Sequence, residues 1–247
     1  MDRPSTPEGR PDADVALARS LGHMRPLPRG AMHEYLVART AFFDRAVLDA
    51  LASGLTQVVI VGAGYDGRAL RFSRPGVRFF ELDHPVTQAD KRRRLAALGD
   101  LHSPIVFAPA DFTTDDVAEA LETAGHDASR DSLFLCEGVL LYLEEAVIVR
   151  LLGGLRARAT AGSVLALNIP VPAEHASALG LRRRVLNLVV RMAGEPPRTA
   201  LTRDEALELV GRAGWVPRRV ADPADLNPRA HPGHALLVEA VPAAAGT

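Results

Sequence analysis

The feature that most constrains the fold is an apolar run, Gln57–Val61, that leads directly into a glycine-rich turn. A continuous apolar run of this length is typical of a central strand in a parallel sheet, because helices cover such a strand on both faces. Gly62, Gly64 and Gly67 follow it in a G-x-G-x-x-G arrangement. Glycines allow the chain to turn sharply and to approach a ligand without a Cβ in the way. Since the spacing alone is weakly specific, the interpretation depends on the flanking segments.

Strand patterns and helix patterns alternate through most of the chain. Apolar runs predict strands, and apolar residues at helical spacing predict helices. Strands that alternate with helices indicate a parallel sheet with right-handed crossovers. The predicted strands are residues 57–61, 77–82, 104–108, 132–136 and 163–169, and the predicted helices are residues 31–51, 68–72, 85–98, 114–124 and 144–159.

The C-terminal part of the chain departs from this alternation. Thr202 and Glu205 have the spacing of a capping box, which predicts a helix that ends near Arg212. Strands are predicted at residues 215–220 and 235–241, and the proline-containing segment between them is predicted to hold no helix. Two strands without a crossover helix pair antiparallel. We therefore predict an α/β, Rossmann-like fold whose seven-stranded, mostly parallel sheet ends in an antiparallel hairpin and has helices on both faces.

The length of 247 residues suits one α/β domain. We predict a flexible N-terminal arm at residues 1–28, because this stretch is rich in Pro, Gly and charged residues. Residues 29–247 are predicted to form a single domain with a cap-like insertion at about residues 170–202. Insertions at this place often close over a pocket, although a solvated surface helix is the alternative.

Composition excludes several classes of function. The net charge of -1 gives no electrostatic reason to expect a nucleic-acid partner. Cys136 is the single cysteine, so no internal disulfide and no metal site are expected, and its apolar surroundings predict a small buried side chain. No run approaches the roughly 20 apolar residues of a membrane span. No signal peptide is visible either, so we expect a soluble, cytoplasmic protein without a membrane partner.

Carboxylates after the second predicted strand indicate a ribose-binding position. Glu81 and Asp83 lie about 20 residues after the glycine turn, the spacing at which a carboxylate accepts hydrogen bonds from ribose hydroxyls. The pair Phe79-Phe80 breaks the strand alternation, so the pattern does not choose between the two acids. Asp66 lies within the turn, where its charge would repel the pyrophosphate of a dinucleotide. S-adenosyl-L-methionine has an adenosine but no phosphate, so Asp66 favours this cofactor.

Acids after the third and fourth predicted strands extend the site. Asp111 and Phe112 follow strand three, where an acid and an apolar ring can bracket an adenine. The alternative for Asp111 is a helix cap before Thr113. Glu137 follows strand four at the same edge of the sheet, where it could meet the amino group of the methionine moiety. The alternative for Glu137 is an acid favoured at a helix start by the helix dipole.

Three blocks of the chain match a known family in their order. They are residues 59–68, residues 80–85 with Lys91, and residues 137–143, and Ala38-Arg39-Thr40 upstream also matches. Over roughly residues 36–170 the chain thereby resembles the leucine carboxyl methyltransferase family, which includes bacterial polyketide O-methyltransferases. The resemblance implies a class I methyltransferase fold and an S-adenosyl-L-methionine-dependent O-methyltransferase, often acting on a carboxylate. One departure is Gly67, where the family usually has Thr.

The resemblance also implies a role for each matching residue. Arg39 would pair with the carboxylate of the cofactor, Glu137 would contact its amino group, and Asp83 rather than Glu81 would hold the ribose. The alternative for Arg39 is a surface arginine on a helix. The remaining implied positions are Gly62 (methionine moiety) with Ala63, Gly64 and Asp66 in the same cofactor-binding turn, Asp111 and Phe112 (adenine), and Tyr142 (near the transfer site, or alternatively a core aromatic residue).

Together these features predict an O-methyltransferase that uses S-adenosyl-L-methionine and acts on a carboxylate or hydroxyl of a small molecule, such as a polyketide-type natural product. A carboxylate is ionised near neutral pH and needs no general base, whereas a phenol would benefit from one. His84, His175 and His234 are the histidine candidates for a base, and each is more typical of a surface or loop position. Two alternatives stay open: an NAD(P)-dependent oxidoreductase and a non-catalytic binding protein of the same fold.

Overall fold

The computed structural model describes residues 30–97, 105–171, 201–230 and 235–244. The predicted N-terminal arm at residues 1–28 and nearly all of the predicted insertion at residues 170–202 lie outside these ranges. The strands are β1 Gln57–Val61, β2 Arg78–Asp83, β3 Ile105–Pro109, β4 Ser132–Cys136, β5 Val164–Pro170, β6 Trp215–Ala221 and β7 Ala235–Pro242. The helices are α1 Ala31–Ala52, α2 Arg68–Arg71, α3 Pro85–Ala97, α4 Val117–Thr123, α5 Glu145–Ala157, α6 Arg203–Arg212 and α7 Pro223–Leu226, and a 3₁₀ helix spans Leu140–Tyr142.

A seven-stranded sheet in the order β3-β2-β1-β4-β5-β7-β6 forms the centre of the molecule. The first five strands pair parallel, and β7 pairs antiparallel with both β5 and β6. This arrangement confirms the predicted Rossmann-like sheet with its C-terminal antiparallel hairpin. The strand order reverses between β1 and β4, and ligands of such sheets bind beyond the carboxyl ends of the strands at this point.

Alternate residues of β1 enter two separate apolar cores. Val59 and Val61 belong to a core shared with α4, α5 and α6, whereas Val58 and Ile60 belong to a core shared with α1 and α2. All five residues of β1 are buried, which is why its sequence is an unbroken apolar run. Cys136, at the end of β4, is also fully buried, and burial raises the pKa of its thiol to about 12, as expected for a small side chain in the core.

Local capping sets where the C-terminal helices begin. Thr202 and Glu205 form the predicted capping box of α6. The prediction that no helix lies between β6 and β7 is wrong, because α7 forms there over four residues. Asp222 accepts a hydrogen bond from Ala224 N at 2.8 Å, and Pro223 occupies the first turn, where its missing N–H costs nothing. Pro223 therefore starts a helix, although the pattern of prolines indicates a loop.

The helix predicted at residues 114–124 is shorter than expected. It starts at Val117 because Asp116 is its N-cap, accepting hydrogen bonds from Ala118 N at 2.8 Å and Glu119 N at 3.2 Å. The residues before Asp116 form a turn instead. Within the described ranges, no helix has the length and apolar character that crossing a membrane requires.

Candidate functional site

The glycine turn after β1 contains two glycines in the left-handed region, for different reasons. Gly62 has φ 61° and Gly64 has φ 44°. A Cβ on Gly62 would lie 2.3 Å from Val139 Cγ2, so close packing against the segment after β4 requires a glycine there. A Cβ on Gly64 would meet only the Gly62 carbonyl oxygen at 4.0 Å. Gly64 therefore borders open space at the carboxyl edge of the sheet, where a ligand can approach the backbone.

Asp83 and Glu81 lie on the same face of β2 but in different surroundings. Asp83 is partly buried and accepts hydrogen bonds from Gly64 N at 2.5 Å and from His84 N at 2.6 Å. Burial raises the pKa of Asp83, although these two hydrogen bonds act in the opposite direction. Glu81 is completely buried, and its carboxylate pairs with Lys91 at 2.7 Å. Only Asp83 lies beside the glycine turn, and its ribose-binding role stays a prediction.

Arg39 and Glu137 are in direct contact at the switch point of the sheet. Arg39 Nε lies 2.6 Å from Glu137 Oε1, and Arg68 Nη1 lies 2.6 Å from Glu137 Oε2. Burial raises the pKa of Glu137, but the charges of Arg68 and Arg39 outweigh it, so the net pKa lies below the ordinary value. Burial likewise lowers the pKa of Arg39, but Glu137 and Tyr35 outweigh it and raise the net value. The structure thus brings together two oppositely charged residues predicted for the cofactor.

Arg68 is a central residue of the site that the sequence patterns do not predict. Its side chain is only 2% exposed and pairs with Asp44 at 2.8 Å, in addition to Glu137. It also pairs with Asp66 at 2.5 Å. The only local signal for this role is the position of Arg68 two residues after Asp66, because its other partners are distant in the sequence.

The pairing with Arg68 corrects one step of the sequence argument. The sequence predicts a free negative charge on Asp66 that repels a pyrophosphate, yet the Asp66 carboxylate is neutralised by Arg68. Asp66 Oδ1 also accepts a hydrogen bond from Arg68 N at 2.6 Å, so it caps the start of α2 beside the side-chain-free Gly67. The choice of cofactor therefore has to come from other residues of the site.

Asn168 is a second site residue absent from the predictions. Its side chain is 3% exposed, although it lies within the apolar strand β5. Its Oδ1 accepts a hydrogen bond from Gly138 N at 2.6 Å. This hydrogen bond fixes the backbone of the segment that follows Glu137. The one sequence feature that indicates it is a polar amide side chain within the apolar strand β5.

Asp111 and Phe112 occupy the turn after β3. Asp111 Oδ1 accepts hydrogen bonds from Thr113 N at 2.8 Å and Thr113 Oγ1 at 2.6 Å, which lower the pKa of Asp111. The carboxylate thus stabilises its own turn, while Asp116 caps α4. Phe112 packs partly buried against the core. Their contact with adenine stays a prediction.

Tyr142 lies at the end of the 3₁₀ helix and is 39% exposed, so it is not a core aromatic residue. Its predicted place near the transfer site stays a prediction.

His84 is half-exposed; its Nδ1 accepts a hydrogen bond from Val86 N at 3.2 Å, and its Nε2 lies 3.9 Å from Asp111 Oδ2. The candidates His175 and His234 lie outside the described residues. In the part of the chain that the structure describes, no three His, Cys, Asp or Glu side chains group in a way that could hold a metal ion.

The sheet order, the glycine turn after β1, the acid that ends β2 and the acid that follows β4 define the class I methyltransferase fold. A family model described as leucine carboxyl methyltransferase matches residues 8–156, and the chain belongs to this family. This confirms the family predicted from the three sequence blocks, although the match begins earlier and ends earlier than residues 36–170. Relatives of the chain are named as S-adenosyl-L-methionine-dependent methyltransferases, which confirms the predicted cofactor.

The chain is similar to a protein of Mycolicibacterium vanbaalenii that carries the provisional name S-adenosyl-L-methionine-dependent methyltransferase. The two are 35% identical over 203 residues, which cover 76% of this chain and 65% of the relative. A Streptomyces coelicolor protein with the same provisional name is 35% identical over 170 residues, covering 67% of this chain and 56% of that protein. The chain therefore spans between 56% and 65% of these relatives' length.

Solved structures share the fold at low sequence identity. Magnesium protoporphyrin IX methyltransferase from Synechocystis, with bound S-adenosylhomocysteine, superposes with a TM-score of 0.57 at 14% identity, covering 94% of this chain and 95% of that one. A structure described as a pericyclic reaction enzyme superposes with a TM-score of 0.53 at 15% identity, covering 92% of this chain and 57% of that one. At such identities the likeness shows the fold alone, and this fold is not restricted to one reaction.

Proposed function

We propose that the protein is an S-adenosyl-L-methionine-dependent O-methyltransferase that methylates a carboxylate or hydroxyl of a small molecule, such as a polyketide-type natural product. The observation that carries the proposal is the contact of Arg39 with Glu137, 2.6 Å apart beside the glycine turn. The methionine moiety is a zwitterion, so a guanidinium and a carboxylate side by side match both of its charges. The match to the leucine carboxyl methyltransferase family argues against an NAD(P)-dependent oxidoreductase.

The remaining residues fit the rest of the cofactor. Asp83 offers carboxylate oxygens at the edge of the sheet for ribose hydroxyls, and Gly64 leaves space beside it. Arg68 holds Glu137 from the buried side, so Glu137 is oriented before any ligand arrives. When bound, S-adenosyl-L-methionine supplies an electrophilic methyl group, and the protein contributes orientation and exclusion of water.

A carboxylate acceptor is favoured over a phenol. Methylation of a carboxylate removes no proton, so the site needs no general base. His84 is the described histidine at this edge of the sheet. Its Nδ1 already accepts a hydrogen bond from Val86 N, so this nitrogen does not serve as a general base. A carboxylate is already ionised above about pH 5, so methylation of a carboxylic acid is expected to show a flat rate from about pH 6 to 9. Methylation of a phenol would instead accelerate with pH.

Incubation with trideuteromethyl-labelled S-adenosylmethionine and a panel of carboxylic acids and phenols tests the proposal by mass spectrometry. Labelled methyl esters or ethers, lost in Arg39→Met but retained in Arg45→Met on the exposed side of α1, are the expected products. Binding of the cofactor with no labelled product from any acceptor would favour a non-catalytic binding protein. Thermal protection by a nicotinamide cofactor but not by S-adenosylmethionine would favour an oxidoreductase.

A further inference from the structure

Lys91 is the single lysine among the 29 basic residues of the chain. It lies on α3 with only 1% of its surface exposed. Its Nζ lies 2.8 Å from the Asp66 carbonyl oxygen, 2.8 Å from Glu81 Oε1 and 2.7 Å from Glu81 Oε2. The first two contacts are hydrogen bonds, and the third is an ion-pair contact with the same carboxylate. Lys91 thus joins β2 to the glycine turn from the buried side.

A lysine suits the geometry at this position. The Asp66 carbonyl oxygen and the Glu81 carboxylate converge on one buried nitrogen atom, which suits a compact ammonium. A guanidinium is larger and spreads its donors over a planar fork, so an arginine paired with Glu81 would have to reach the Asp66 carbonyl from a different nitrogen atom.

Helix α3 holds the glycine turn through two consecutive residues. Asp90 accepts a hydrogen bond from Tyr65 Oη, and Lys91 donates to the carbonyl of Asp66. The turn itself contains Gly64 and Gly67, which restrict the backbone little. Contacts from outside the turn therefore add to its internal hydrogen bond from Asp66 N to Ala63 O, 2.7 Å long, and the Asp66 carbonyl is the backbone atom that Lys91 holds.

Glu81 supplies the counter-charge that makes a buried ammonium tolerable. Burial raises the pKa of Glu81 to about 7, and the neighbouring Lys91 acts against this rise. Removing one member of a buried ion pair is costly, whereas removing both can be nearly neutral. This difference allows the effect on stability to be separated from the effect on the turn.

We propose that Lys91 is a positioning residue for cofactor binding, which holds the Asp66 carbonyl and thereby fixes residues 64–67 in the conformation that receives S-adenosyl-L-methionine. Glu81 neutralises the ammonium and has no contact with the cofactor. The inference rests on the proposed function of the site. It adds a residue whose contribution passes through the backbone of the turn rather than through contact with the ligand.

The test compares Lys91→Met with the double variant Glu81→Gln/Lys91→Met in thermal unfolding and in calorimetric titration with S-adenosylhomocysteine. Lys91→Met is expected to lose both stability and affinity. The double variant is expected to regain much of the melting temperature while its affinity stays roughly tenfold or more below wild type, because the Asp66 carbonyl still lacks its donor. Leu209→Ala, a core truncation on α6, controls for lost stability and is expected to keep wild-type affinity.

Wild-type affinity in the double variant would overturn the role of Lys91 and leave the proposed function standing. Absence of binding to the wild-type protein would overturn the proposed function and this inference with it.

Discussion

His126 shows how strongly the core acts on a single titratable residue. Its ring lies among aromatic side chains, with centroids 5.3 Å from Phe80 and 5.8 Å from Phe134. Its Nε2 lies 3.0 Å from Ser132 Oγ. Burial, followed by the charge of Arg158, lowers the pKa of His126 from 6.5 to about 4. The folded protein therefore holds this ring neutral at a pH where the unfolded chain is already protonated.

The variant His126→Gln is expected to remove this pH dependence while keeping a polar partner for Ser132. Because the folded pKa is lowered, the contribution of His126 is complete above pH 6.5 and is lost as the pH falls towards 4. From about pH 7.5 to about pH 5, the free energy of unfolding of wild type should fall by about 2 kcal/mol more than that of the variant. Urea unfolding at several pH values measures the difference, and parallel pH profiles would contradict it.

Gly64 offers a test of ligand approach with an internal control. Gly64 at φ 44° and Gly54 at φ 92° both border open space, since a Cβ on Gly54 has no neighbour within 4 Å. Alanine at either position should cost about 1 kcal/mol of stability through backbone strain. Only Gly64→Ala is expected to weaken S-adenosylmethionine binding, because Gly64 follows the carboxyl end of β1. Gly54 lies before the amino end of the same strand, away from the predicted site. Equal affinities for the two variants in calorimetry would exclude backbone approach at Gly64.

Among the secondary-structure elements, α2 carries a buried arginine, Arg68, that forms ion pairs with three other segments of the site. Arg68 on α2 contacts Asp44 on α1, Asp66 in the glycine turn and Glu137 after β4. Arg68→Met would remove one partner from each of three buried or partly buried carboxylates, of which Asp44 keeps Arg71 and Glu137 keeps Arg39. The free energy of unfolding should therefore fall by about 3 kcal/mol, at the lower end for a broken buried ion pair. Arg45→Met removes the exposed pair with Asp49 on α1 and should change it by less than about 1 kcal/mol. Similar urea midpoints for the two variants would contradict the structural role of Arg68.

The elements themselves follow from short-range patterns, whereas their contacts do not. Apolar runs predict β1 and β4 at the bounds that the structure shows, because burial on both faces demands such runs. The ion pairs of Arg68 and Lys91 join residues that no periodicity relates, so the sequence patterns miss them. The same limit applies to Glu81 and Asp83, which lie on one face of β2. They differ in their partners, because Lys91 pairs with Glu81 whereas Gly64 N and His84 N donate to Asp83.

At the scale of the whole molecule, sheet order does most to define where chemistry can occur. Gly62, Asp83 and Glu137 are far apart in the chain, yet they follow or end neighbouring strands and therefore share one edge. Strand–helix alternation is sufficient to predict this edge. The identity of the methyl acceptor cannot be predicted in this way, because the side chains that line its pocket follow no motif. The name of the relative gives the cofactor and not the acceptor.

Recognition of the methionine moiety by Arg39 and Glu137 is tested by calorimetric titration with S-adenosylmethionine and with methylthioadenosine, which lacks the zwitterionic end. Wild type should bind S-adenosylmethionine more tightly than methylthioadenosine. Arg39→Met should lose affinity for S-adenosylmethionine by roughly tenfold or more while keeping its affinity for methylthioadenosine. If wild type binds neither ligand, or if Arg39→Met weakens both equally, Arg39 and Glu137 do not recognise the methionine moiety and the proposed site is wrong.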